Sequence, residues 1–377
     1  SLLNFPVLTS VFQNGANLDI DFDVDLPTGN YRIEFFDTLG GLEGSGFGEG
    51  QTVVGFANIA VTGAAGYESF STTLTGVTAS SILNITTTAT SADGTFTIFS
   101  STSEFGPQFQ GAGVITVTTT SDTTDGATSS IAALLGNRGT DGEISLREAI
   151  LATNNTANLG GNPDEIRFNI AGAGPHTIQP LSALPIITDA VVLDGTTEPD
   201  FAGSPVIELD GSVAGGTAIH VQADGVTLRG LVVNRFGSGS AAIRLEGDGN
   251  VVEGMYIGTD ITGNAGASNG VGILIQGSNN IIGGTLATQR NVISANSISA
   301  VQINVVSYTG NVLQGNYIGV NAAGNAVLGN AFGGISASGA NTVIGGTATG
   351  AGNVIAGNGA GGLSVSGDGS TVFGNYI

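Results

Sequence analysis

His220, Asp224, Arg244 and Glu246 are the residues best placed to do acid–base chemistry, because they fall on outward positions of neighbouring strand repeats and could converge. Hydrolysis of a glycosidic bond needs two carboxylates flanking it, and other polysaccharide cleavage needs a base with cationic partners. The later part of the chain offers no carboxylate pair, since no acidic residue lies between Asp260 and Asp368. Solvated polar residues on a strand face are far commoner than a catalytic cluster. No residue is therefore assigned a catalytic or cofactor-binding role.

Metal chemistry has three candidate settings. Asp19, Asp21, Asp23 and Asp25 alternate along one strand, and hard cations want several carboxylate oxygens. Successive aspartates on one face are about 7 Å apart, too far for all four to share an ion. They read instead as a charged face that discourages edge pairing. Asp122, Asp125, Asp141 and Glu143 form a second acidic group with the same weak calcium reading. His176 has no Cys, His or acid at ligand spacing and reads as structural. No metal ligand is assigned, and structural calcium is the one cofactor left open. Arg147 is expected to pair with Asp141 or Glu143, orienting a helix. Asn84 and Asn154 lie in N-x-Thr sequons.

Composition narrows the classes further. The chain has 377 residues, a net charge of −22, no Cys, and eight basic residues that are all Arg. Nucleic acid and anionic membranes are poor partners for such a surface. Without Cys there are no disulfides, thiolate metal sites or cysteine nucleophiles, and without Lys there are no Lys–Asn isopeptide bonds. No apolar run of about 20 residues is present, so no membrane insertion is expected. Ser1 opens the chain without an initiator Met or a signal-like stretch, which reads as a mature or excised piece. The 63 glycines follow no collagen period, and they fit a turn-dense all-β protein. Charge is confined to the first part: from 261 to 377 only Arg290 and Asp368 are charged.

The elements that would position these residues fall into three regions. Residues 1–110 alternate in short runs such as Leu18–Leu26, Tyr31–Phe36, Thr52–Ala60, Ser69–Leu74, Ser81–Thr88 and Thr95–Ser100, the pattern of an immunoglobulin-like β-sandwich. Residues 111–190 form a capping region: a strand at Val114–Thr119, an acidic polar loop, and the chain's one convincing helix at 146–153. Ser145 and Glu148 have the spacing of a capping box, and Leu146, Ala149, Ile150 and Thr153 share one face. Such a helix would cover the apolar end of a repeat array. Residues 191–377 read as a right-handed parallel β-helix. Triplets with two inward residues around one outward residue recur as Ile219-His220-Val221, Ile243-Arg244-Leu245, Ile273-Leu274-Ile275, Val301-Gln302-Ile303, Ile335-Ser336-Ala337 and Leu363-Ser364-Val365. Further short strands between them predict three strands per turn and around seven coils. A longer repeat sets Ile273 against Ile335, Ile282 against Ile344 and Asn291 against Asn353 at one common separation, with Tyr256, Tyr317 and Tyr376 nearly in step.

The segment Ser145-Leu146-Arg147-Glu148-Ala149 resembles the core of the CSLREA-type segment that opens β-helix domains in large bacterial surface proteins, with Ile144 in place of the motif's Cys. Gly315-Asn316-Tyr317-Ile318-Gly319 and Asn353-Val354-Ile355-Ala356-Gly357-Asn358 are similar to that family's coil repeats. The resemblance covers nearly the whole chain and implies an extracellular or cell-surface location. The function it implies is a structural scaffold or adhesive module of a surface or filament-forming protein, not an enzyme. Its expected partners are copies of itself or adjoining modules head to tail, because Gly374-Asn375-Tyr376-Ile377 stops inside a repeat motif. The alternative is a glycan-binding or polysaccharide-cleaving β-helix, with Gln222, Glu246, Gln276, Asn304, Ser338 and Ser366 as a glycan-facing strip.

Overall fold

The computed structural model describes residues 6–14, 17–37, 52–62, 68–77, 85–103, 113–158, 162–237 and 239–377. The chain divides into two compact units: residues 1–113 with 158–162, and residues 114–157 with 163–377. No described helix is long and apolar enough to cross a membrane.

The first unit contains two antiparallel sheets sharing one core. One is built from Val7–Asn14, Asn17–Val24 and Glu68–Thr75, the other from Thr52–Val61, Gly29–Asp37, Ile85–Ala92 and Phe99–Thr102, each in spatial order. The alternation along Asn17–Val24 buries Leu18, Ile20, Phe22 and Val24, as a period of two requires. Phe22 meets Phe35 of the opposite sheet edge-on, with ring centroids 5.6 Å apart. Tyr31 turns its hydroxyl back to donate to the Pro27 carbonyl at 2.8 Å.

Three sequence expectations change here, one being that the strand expected over Thr95–Ser100 is Phe99–Thr102, preceded by a turn. The aspartate strand is central rather than an edge, with Val7–Asn14, which the sequence reading did not include, on its far side. The strand expected over Ser81–Thr88 is Ile85–Ala92, and Ser81–Asn84 lie outside the described residues.

The second unit is dominated by three stacked parallel sheets of nine, seven and six strands, consistent with a β-helix. The chain visits them in rotation, so each turn contributes three strands. The six-stranded sheet is made of the strands that carry the six recurring triplets, and Ile219, Ile243, Ile273, Val301, Ile335 and Leu363 are in register. On the nine-stranded sheet Ile115, Ile166, Leu193, Leu228, Val252, Ile282, Leu313 and Ile344 form one continuous buried column. On the seven-stranded sheet Ile178, Leu209, Val233, Ile257, Ile293, Ile318 and Ile355 do the same. Fully burying one such side chain is worth about 1.5–3 kcal/mol. Repetition of the same contact makes register a property of the whole stack.

The coils begin at Asp164, earlier than the expected 191, since Asp164–Phe168 already pairs in parallel with Val191–Asp194. The helix spans Leu146–Asn154, and both halves of the Ser145–Glu148 capping box are present. It packs on Val114–Val117 and Asp164–Phe168, and Leu146, Ala149 and Ile150 join the same core as the coils. A second helix, Ile131–Gly136, lies where a polar loop was expected. At six residues it is too short to show a helical period in the sequence, and only Ile131 and Leu134 of it are buried.

The longer repeat has a structural origin. Alternate coils carry a small protrusion closed by Thr259 pairing with Gly266 and by Val320 pairing with Val327. Tyr256 and Tyr317 precede these protrusions, so the near-equal tyrosine spacing counts two coils. Asp260 accepts bonds from the Asn264 and Ala265 amides, and Asn321 accepts the same bonds from Asn325 and Ala326.

Candidate functional site

Glu246 is the hub of a polar cluster on the six-stranded face. Its Oε1 lies 2.6 Å from Arg244 Nη2 and 3.1 Å from His220 Nε2, the latter without hydrogen-bond alignment. Its Oε2 accepts from Gln222 Nε2 at 2.9 Å, and Arg244 Nε donates to Gln276 Oε1 at 2.6 Å. Three of the four residues expected to converge do so, whereas Asp224 accepts from the Asp248 amide instead. Glycosidase chemistry wants a second carboxylate across a gap of about 5–9.5 Å, and here the single carboxylate is engaged on both oxygens. The strip from Gln222 to Ser366 also bonds within itself, Ser366 Oγ lying 3.1 Å from Ser338 Oγ.

Burial would raise the Glu246 carboxyl, but the Gln222 amide, the His220 ring and the Arg244 guanidinium hold it below the usual glutamate range. A carboxyl depressed in the folded state adds stability that is complete above its ordinary value, 4.5 here, and is lost as pH falls through the folded value. Glu246→Gln is therefore expected to narrow its deficit against the parent progressively below pH 4.5. Thermal unfolding of both proteins across pH 3–7, roughly the range in which carboxylates titrate, measures it. A deficit independent of pH would be evidence against this coupling.

A cleft of about 480 Å³ opens beside the turns joining the nine- and seven-stranded sheets, lined among others by Phe201, Arg229, Glu253, Tyr256, Gln289 and Arg290. Arg229 is held by Asp194 at 2.5 Å, Gln289 donates to Glu253 at 2.9 Å, and the Arg290 guanidinium sits 4.3 Å from the Tyr317 ring centroid. Aromatic faces beside amide, guanidinium and carboxylate groups suit a polyhydroxyl ligand. Sequence reading missed the cleft because its residues come from different turns of the stack.

The acidic groups disperse. Asp19, Asp21 and Asp23 each accept from a hydroxyl of the neighbouring strand, Thr73, Ser71 and Ser69, at 2.6, 2.6 and 2.7 Å. Asp122 takes Arg147 in a two-pronged pair, Nε to Oδ1 at 2.9 Å and Nη2 to Oδ2 at 2.8 Å, so Arg147 does not choose Asp141 or Glu143. Arg147 also donates to the Ser182 and Ala183 carbonyls, which ties the helix to the first coil. Asp125 accepts from the Thr140 hydroxyl and amide and is lowered by them, while Asp141 caps the Glu143 amide. Of the two sequons, Asn84 lies outside the described residues. The Asn154 amide donates to the Ile186 carbonyl and accepts from Thr188.

His176 has acidic neighbours in space that its spacing along the chain does not show. Glu198 and Asp200 approach its Nε2 to 3.6 and 3.9 Å, and among the described residues these three form the one group able to offer a metal three ligand atoms. Their sequence separation is about one coil, so ligand spacing along the chain could not reveal them.

The corners hold the most extensive polar system. Asn291 donates its amide to Asn316 at 3.0 Å, Asn316 to Asn353 at 2.9 Å, and Asn353 to Asn375 at 2.8 Å. A second column runs Asn269, Asn296, Asn330, Asn358, at 3.2, 2.9 and 2.8 Å. At the third corner the backbone amides of Val226, Asn250 and Asn280 donate to the side chains of Asn250, Asn280 and Asn311. Most of these asparagines are fully buried. Corner glycines make the room: a Cβ on Gly283, at φ +84°, would overlap the Gln314 carbonyl and Asn316.

The chain matches no family model, no curated protein and no solved structure.

Proposed function

We propose that the chain is a non-enzymatic scaffold or adhesive module of an extracellular surface or filament-forming protein. The observation that carries this reading is the set of buried asparagine columns, one at each corner of the coil stack. Such columns stiffen and register a stack, and they leave the outer faces free to vary. Right-handed winding is the sense in which parallel strands joined by crossovers nearly always run. The two antiparallel sheets, with strands in the order first-second-fifth against fourth-third-sixth-seventh, support an immunoglobulin-like module. The capping box inside Ser145–Ala149 supports kinship with CSLREA-type surface proteins. Copies or adjoining modules are the fitting partners, since the sparse charge beyond residue 260 offers little repulsion between stacked faces.

The cleft at Arg229, Glu253 and Tyr256 favours one second reading, glycan binding. Incubation with a panel of neutral and acidic polysaccharides separates the readings. The scaffold reading expects no new reducing ends, no unsaturated products and no retention on a glycan column, whereas the glycan-binding reading expects retention that Tyr256→Ala abolishes. Product release that Glu246→Gln or Glu253→Gln abolishes would replace it with an enzyme.

A further inference from the structure

We propose that His176, Glu198 and Asp200 form a binding site for one divalent transition-metal ion of the zinc type, bridging the first two coils. His176 sits on the strand His176–Ile178 and is 6% exposed. Its Nε2 is buried with no hydrogen-bond partner and faces the two carboxylates, with Glu198 Oε1 at 3.6 Å and Asp200 Oδ2 at 3.9 Å. Both distances exceed hydrogen-bond reach, so direct pairing does not satisfy the imidazole. They do suit a shared ion: bonds of about 2.0–2.1 Å at tetrahedral angles place donor atoms roughly 3.3 Å apart. All three donor atoms lie within 4.8 Å of one another. Both carboxylates are also anchored: the Ile170 amide donates to Glu198 Oε2, the oxygen turned away from His176, at 3.0 Å, and the Gly174 amide donates to Asp200 Oδ2, the oxygen that faces His176, at 2.6 Å. Anchoring of this kind orients metal ligands. An imidazole with two carboxylates selects a first-row metal over calcium, which takes six to eight oxygens. The Asp200 side chain is 43% exposed, so the site has a solvent side and room for a water ligand.

The test uses the full chain stripped with chelator and titrated with zinc chloride in a calorimeter, with cobalt(II) as a spectroscopic probe. One equivalent of zinc is expected to bind at micromolar concentration or tighter, with calcium at a hundredfold excess failing to compete. Cobalt should give visible absorption of four- or five-coordinate strength. His176→Ala should weaken zinc at least tenfold. Asp200→Asn should do the same while melting like the parent without metal, because an amide oxygen can keep the Gly174 bond; this variant decides the matter if His176→Ala fails to fold. Absence of binding would overturn the proposal, as would zinc affinity unchanged in Asp200→Asn or displaced equally by calcium.

Discussion

Replacing Leu146 and Ile150 together by aspartate is expected to destabilise the second unit by at least about 5 kcal/mol, since each loses about 1.5–3 kcal/mol of burial and brings a charge into an apolar core. Both side chains are almost wholly buried, 1% and 2% exposed, and share their core with Ile115, Val117, Ile166 and Phe168. The helix lies against the first strands of the stack, where a repeat array would otherwise present bare apolar side chains. Its position is over-determined: Arg147 pins it to Asp122 and the Ser182–Ala183 carbonyls, and Glu148 accepts the Asp125 and Gly126 amides as well as that of Ser145. The aspartates therefore cannot be relieved by a small rotation. Thermal unfolding should fall by at least about 10 °C at the rate of about 2–4 °C per kcal/mol for a unit of this size. An unchanged midpoint would show that the helix does not cap the stack.

The second large effect is expected in the asparagine columns. Asn316 is fully buried, donates to the Ile282 carbonyl at 2.8 Å and to Asn353 at 2.9 Å, and accepts from Asn291 at 3.0 Å. Leucine keeps the branched outline of asparagine but is bulkier, so Asn316→Leu removes the hydrogen bonds and also crowds the corner. Leaving those buried partners incompletely satisfied is expected to cost about 3–5 kcal/mol, at about 1–3 kcal/mol per orphaned group. Because Asn316 and Asn353 bond each other, the double leucine variant should lose less than the sum of the single losses by about 0.5–3 kcal/mol. Strict additivity in denaturant unfolding would mean that the column contributes no coupling between coils.

Much of the coil stack was legible because its inward residues repeat. The triplets from Ile219 to Leu363 form one sheet in register, and three strands per turn follows from the apolar runs between them. The capping box was legible for a local reason, since Ser145 and Glu148 are three residues apart on one turn. What the sequence hid is contact between coils. Arg147 reaches Asp122 across a loop, Asp224 turns to the Asp248 amide, and His176 meets Glu198 and Asp200 from the turn above. The first coil is harder to see because it adds no strand to the six-stranded sheet, only the Ile187–Val221 bridge, and so carries none of the recurring triplets. The repeat that sets Asn291 against Asn353 is visible in the sequence, yet the alignment of the asparagines into bonded columns depends on turn lengths that vary from coil to coil.

The central claim is that the coil stack acts as one mechanical unit held by its asparagine columns, and native-state hydrogen exchange of the column amides tests it most directly. The backbone amides of Asn250, Asn280, Asn296, Asn316 and Asn330, which donate to asparagines one coil on, are predicted to exchange only through global unfolding, with one common free energy. A graded series, in which each coil opens independently of its neighbours, would contradict the account.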